Sequence, residues 1–86
     1  MLSKKVVITY PSGLHARPLS RFMVLIKSFK SHVTLVTPKG EVDCRSIVNL
    51  LTAAIKQGTE VEVQVSGSDE EVALEKIVDF LENLSE

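Results

Sequence analysis

The chain has 86 residues, one cysteine, two histidines and a formal net charge of −1. That length makes one domain, spanning 1–86, near the lower end of what a single apolar core supports without cross-links. One cysteine excludes an internal disulfide, one Cys with two His is too few for a Cys/His metal cluster, and the near-neutral charge gives no global reason to bind nucleic acid. The charge is nevertheless unevenly spread: residues 1–59 carry nine Lys or Arg against two acids, and residues 60–86 carry one Lys against nine acids. If Arg17, Arg21 and Lys27 share a surface, that surface attracts an acidic protein or a phosphate, although most such residues only solvate a surface.

The first element is "KKVVITY" (4–10), rich in β-branched residues and halted by "PSG", which predicts a strand and a turn. Before it, "MLSKK" offers no apolar run long enough for a signal peptide or a membrane span, so a cytoplasmic protein without membrane insertion is expected. A helix is predicted over about 16–30. At 100° per residue Leu19, Phe22, Leu25, Ile26 and Phe29 share one face, while Ser20, Arg21, Val24, Lys27 and Ser28 lie opposite, with Val24 the one apolar residue on that polar side. "HVTLVT" (32–37) and "EVDC" (41–44) then form a hairpin around "PKG", with Cys44 as an apolar filler. The second helix is predicted from Ser46 as N-cap to a stop at Gly58, with Lys56 in its last turn. "EVEVQVS" (60–66) alternates strictly and puts Val61, Val63 and Val65 on one face. The third helix opens at "SDEE", read as a capping box between Ser68 and Glu71, and turns Leu74, Ile77, Val78 and Leu81 inward. The order β-α-β-β-α-β-α suits an α+β two-layer sandwich with helices on one face of a mainly antiparallel sheet.

The unusual feature is "PSGLHARPLSRFM" (11–23), which places a histidine where a helix start ordinarily takes Ser, Thr, Asp or Asn. If the helix begins at 16, the N–H groups of Ala16 and Arg17 have no intrahelical partner, Pro18 has no N–H to leave unpaired, and Gly13 frees the turn before them. An anion at that end meets backbone donors, the positive end of the helix dipole and the Arg17 guanidinium. His15 is a nitrogen nucleophile, largely neutral near pH 7, and can accept a phosphoryl group without a separate base. Taken alone, a histidine at a helix start is more often a tolerated surface residue, and His32 at the head of the second strand is read that way. Ser46 is first of all a helix cap, worth about 1 kcal/mol. On the helix behind it Ile47, Val48, Leu50, Leu51, Ala54 and Ile55 cover an arc wider than the ~100° that a core-facing stripe needs, so either some are exposed or the helix is deeply packed.

"SGLHARP" around His15, with "RSI" at the head of the second helix and the same order of elements, resembles HPr, the histidine-containing phosphocarrier family of the bacterial sugar phosphotransferase system. The resemblance extends over essentially the whole chain. It implies an open-faced β-sandwich, four antiparallel strands with three helices on one face. It also implies that His15 accepts a phosphoryl group on Nδ1 from enzyme I, whose donor is phosphoenolpyruvate, and passes it to sugar-specific enzyme II components. Arg17 would steady the phosphate, no cofactor is implied, and a transient carrier is expected to be a monomer. Partners of the family grip an apolar patch, which would correspond to Ile47, Val48 and Leu51 with Ser20, Val24 and Lys27. In the Gram-positive branch the serine matching Ser46 is phosphorylated by a serine kinase/phosphorylase and read by a catabolite-control regulator. The stretch after that serine is Met- and Gly-rich there and reads "SIVNLLTAAI" here.

Two other functions compete. One is an HPr-like regulatory binding protein acting mainly through Ser46, against which stands the presence of both His15 and Arg17. The other is a small acyl phosphate hydrolase using Arg17 and Asn49, against which stands the lack of a Gly-rich, Arg-bearing loop after the first strand.

Overall fold

Alternate residues of the predicted strands, among them Val6, Val33, Leu35, Val42, Val61, Val63 and Val65, become the floor of the core. The computed structural model describes residues 1–11, 13–14 and 16–83, with the backbone alone for Ala16 and Arg17. Its elements are β1 (Leu2–Val7), α1 (Ala16–Lys27), β2 (His32–Thr37), β3 (Gly40–Asp43), α2 (Ile47–Ala53), β4 (Glu60–Ser66) and α3 (Glu70–Glu82). The four strands form one antiparallel sheet in the order β1-β4-β2-β3. The register sets Val6 opposite Val61, Val33 opposite Val65, Leu35 opposite Val63 on one side and Val42 on the other. These residues are all buried, whereas Lys5, paired with Glu62, lies on the outer, wet face. α3 packs over β1 and β4, α2 beside β3, and α1 against both other helices. The expected open-faced arrangement is the observed one.

Between the layers, α1 contributes Leu19, Phe22, Met23 and Ile26, and α3 contributes Ala73, Ile77, Val78 and Leu81. Phe22 and Phe80 meet with ring centroids 5.7 Å apart. Cys44 is fully buried, and burial, followed by the charge of Asp43, pushes its thiol up to about 12, which leaves it without thiolate reactivity.

Several boundaries differ from the sequence reading, each for a tertiary reason. β1 ends at Val7, where its pairing passes from β4 to the loop before it: Ile8 N–H donates to Thr59 O at 2.9 Å and Ile8 O accepts from Gly58 N at 2.6 Å. α1 closes at Lys27 in a tightened turn, with Ser28 N donating to Leu25 O and Phe29 N to Ile26 O. β3 covers Gly40–Asp43 and releases Cys44 into the core. α2 stops at Ala53, well short of Gly58. Ala54 adopts the left-handed conformation at φ 50°, ψ 57°, and Ile55 then turns inward to near-complete burial.

The expected Ser68–Glu71 capping box is replaced by another arrangement. The N-cap of α3 is Asp69, whose carboxylate makes no capping bond to its own helix. It accepts instead from Lys30 N and Ser31 N, each at 2.9 Å, and from the Ser31 hydroxyl. Glu70 supplies the local acceptor, taking the Gly67 N–H at 3.2 Å. A Cβ on Gly67 would stand 2.6 Å from Ser31 Cα, so only glycine permits this approach.

Candidate functional site

The site begins with a loop that the core holds at both ends. Gly13 N donates to Tyr10 O at 2.8 Å, closing a turn, and Leu14 N donates to Ile55 O at 2.9 Å. Leu14 is buried, and so are Pro18 and Leu19 four and five residues later. α1 starts at Ala16, so the chain passes from an anchored loop residue to the first helical residue across position 15. His15 itself lies outside the described residues. Ala16 and Arg17 are the first two residues of α1, and the expected contact of the Arg17 guanidinium with a phosphate falls outside what is described.

The first turn of α1 carries no acidic residue, and Lys27 sits in its last turn. No carboxylate on that turn therefore offsets the positive end of the helix dipole. His32, the first residue of β2, is exposed with Nε2 4.0 Å from an Asp43 carboxylate oxygen.

Ser46 caps α2. Its backbone is extended, its hydroxyl accepts from Asn49 N at 3.2 Å, and its carbonyl accepts from Leu50 N at 3.1 Å. Asp43 fixes the approach by accepting from Arg45 N through its carboxylate at 2.9 Å and from Ser46 N through its carbonyl at 3.1 Å. Asn49, the residue proposed to orient water in a hydrolase, is an exposed helical residue whose N–H serves this cap.

Within α2 only Leu50 is buried, while Ile47, Val48 and Leu51 are 41%, 66% and 48% exposed. On α1, which packs against α2, Val24 is 72% exposed, and Ser20 and Lys27 are exposed. Four apolar side chains thus face solvent on two helices that pack together. Among the described residues no group of three His, Cys, Asp or Glu side chains is placed to hold a metal ion, and no helix is long and apolar enough to cross a membrane.

The packing of Gly13 was not legible from sequence. A Cβ at Gly13 would fall 2.4 Å from Ile55 O and 2.8 Å from Lys56 Cα, and φ is +66°. The glycine was readable as turn freedom. Its partner, 42 residues away in the chain, left no local signal.

The model of the PTS HPr component phosphorylation site family matches residues 2–83. The phosphocarrier protein HPr of Mycoplasma pneumoniae is 42% identical over 79 residues, covering 91% of this chain and 90% of that one. The crystal structure of an HPr from Thermoanaerobacter tengcongensis is similar with a TM-score of 0.90 at 30% identity, covering 95% of this chain and 92% of that one. The crystal structure of Crh from Bacillus subtilis, described as a domain-swapping dimer, has a TM-score of 0.75 at 36% identity, covering 99% of this chain and 100% of that one.

Proposed function

The chain belongs to the HPr family, the phosphocarriers of the phosphotransferase system, and from that membership we propose that His15 is the residue that carries the phosphoryl group. The protein is a phosphocarrier for sugar uptake, a stoichiometric intermediate and not an enzyme. The observation that supports His15 is the start of α1 at Ala16, directly after it in the chain, with no acid in the first turn. Enzyme I donates: the lone pair of the neutral imidazole attacks phosphorus, a new P–N bond forms, and the bond from phosphorus to phospho-enzyme I breaks, leaving its electron pair on that enzyme. Helix N–H groups and Arg17 hold the transferred anion until a sugar-specific enzyme II takes it.

The docking surface in this reading is the exposed patch of Val24, Ile47, Val48 and Leu51, flanked by Ser20 and Lys27. The protein acts in the cytoplasm as a monomer during transfer. Ser46 is a second, regulatory phosphorylation site for a serine kinase/phosphorylase, and its phosphate would be read by a catabolite-control regulator. What supports this is its place at the head of the same exposed helix, where an added dianion alters the surface that partners approach. The test is incubation with phosphoenolpyruvate and enzyme I followed by intact mass and acid treatment. The parent gains one acid-labile phosphoryl group and His15→Ala gains none. Full labelling of His15→Ala would overturn the assignment.

A further inference from the structure

We infer that the backbone of Ile55 and Lys56, between α2 and β4, is a positioning element for the phosphoryl-accepting histidine. This rests on the assignment of His15 made above. Ile8, Thr9 and Leu14 are each tied to residues between 55 and 59. Ile8 exchanges bonds with Gly58 and Thr59, Thr9 O accepts from Gln57 Nε2 at 3.2 Å, and Leu14 N donates to Ile55 O at 2.9 Å. The bonds at Ile8 prolong the β1–β4 pairing and explain themselves as fold stability. The bond at Leu14 joins two buried core residues and also falls on the residue that precedes His15, beyond the end of the sheet.

Two features show how closely this contact is specified. Gly13 is pressed so tightly against Ile55 and Lys56 that any Cβ there would collide with backbone, and backbone cannot swing aside as a flexible side-chain tip can. Ala54 is held in the left-handed conformation although it is not glycine, and it is the one such residue among those described. The turn at Ala54 ends α2 early, after which the carbonyl of Ile55 meets Leu14. Strain of this kind persists where the surroundings over-determine it, and it concentrates at functional sites. On the other side of position 15, burial of Pro18 and Leu19 fixes the start of α1. Phosphoryl transfer needs the acceptor nitrogen in line with the breaking bond, and a misplacement of about 1 Å can cost about a hundredfold in rate. The contact with residues 55 and 56 supplies that constraint from the loop side.

The experiment measures steady-state phosphorylation by enzyme I with this protein as the varied substrate. Gly13→Ala forces the loop off Ile55, and kcat should fall between about tenfold and about a hundredfold with KM changed less than about twofold, since the exposed patch on α1 and α2 is untouched. Because Gly13→Ala can also impair folding, a second variant is made by chemical synthesis, with an ester replacing the Leu14 peptide bond so that its N–H is lost and every side chain is kept. An ester at Ala73, whose N–H donates to Asp69 O at the same 2.9 Å inside α3, is the control. Both esters should lower thermal stability comparably, and the Leu14 ester alone should lose about tenfold in kcat. Parent-like kcat for the Leu14 ester, or an equal loss for the Ala73 ester, would reduce the contact to a structural one and overturn the inference. Either result leaves phosphorylation of the parent at His15 standing, whereas failure of the His15 assignment would show as labelling of His15→Ala.

Discussion

Ala54→Gly should stabilise the protein, and the expected gain can be worked from one pair of dihedral angles. Ala54 sits at φ 50°, ψ 57°, with its N–H donating to Leu51 O at 3.1 Å, so the conformation is pinned by a helix-terminating hydrogen bond. For an L-residue with a Cβ this region costs roughly 1–2 kcal/mol, because Cβ crowds the following carbonyl oxygen. Glycine removes that cost but gains freedom in the unfolded chain, which returns about 0.4–1 kcal/mol. The Ala54 methyl lines a shallow cavity with Thr37, Lys39 and Lys56 and is exposed, so its loss forfeits little burial. The centres of these ranges differ by about 0.8 kcal/mol, which for a domain of this size raises Tm by about 3–6 °C. Scanning calorimetry and urea unfolding measure it, with the urea midpoint rising at constant slope. An unchanged or lower Tm would show that Ala54 is unstrained, and the premise that something holds it in this conformation would go with it.

Asp69→Asn should lower Tm and flatten the acid dependence of stability. Hydrogen bonds from Ser31 and Lys30 hold the Asp69 carboxyl below its ordinary value of 3.8, so the unfolded state binds its proton first. The stabilisation is therefore complete above that ordinary value and is lost as pH falls through the depressed one. Urea unfolding from about pH 2 to about pH 5 reads it, and identical slopes for parent and variant would remove Asp69 from the acid response. Val48→Glu and Leu51→Glu should raise KM for enzyme I with little change in Tm, since both side chains are largely exposed, whereas Leu50→Ala, from a residue 1% exposed, should cost about 2–5 kcal/mol. Loss of stability in either Glu variant would move that residue from the docking surface to the core.

The contrast between α1 and α2 shows what sequence can and cannot carry. α1 is legible because its apolar stripe repeats with the helical period and its exception, Val24, is visible as an exception. β4 is legible because Val61, Val63 and Val65 alternate with polar residues and the sheet has one wet face. The end of α2 is not. "LTAAIKQG" reads as helix up to its glycine, since alanine is the best helix former and nothing local opposes it. The helix stops because Ile55 must reach the core and meet Leu14, both contacts made across a long stretch of chain. The same holds for Asp69, whose residue type is ideal for a local cap and whose carboxylate is spent on Ser31, 38 residues earlier. Local propensity was overridden wherever one short polar or apolar residue had a distant partner with a stronger claim.

The candidate site divides along the same line. "SGLHARP" announces its chemistry because helix-end donors, a nucleophilic imidazole and a guanidinium need only a few consecutive residues to come together. The contact of Gly13 and Leu14 with Ile55 and Lys56, to which the positioning role is proposed above, is one that only the fold supplies. The exposed residues Val24, Ile47, Val48 and Leu51 lie between these cases. Each breaks the rule that an amphipathic helix turns its apolar residues inward, as Val72 on α3 also does, and these four lie on two helices that pack together. A chain this small has few apolar residues to leave in water, and burying them would strengthen its core. Leaving Val24, Ile47, Val48 and Leu51 exposed on two packed helices is intelligible under the proposed docking role, in which a partner covers them for the duration of transfer and binding is brief because a carrier must leave one enzyme to reach the next.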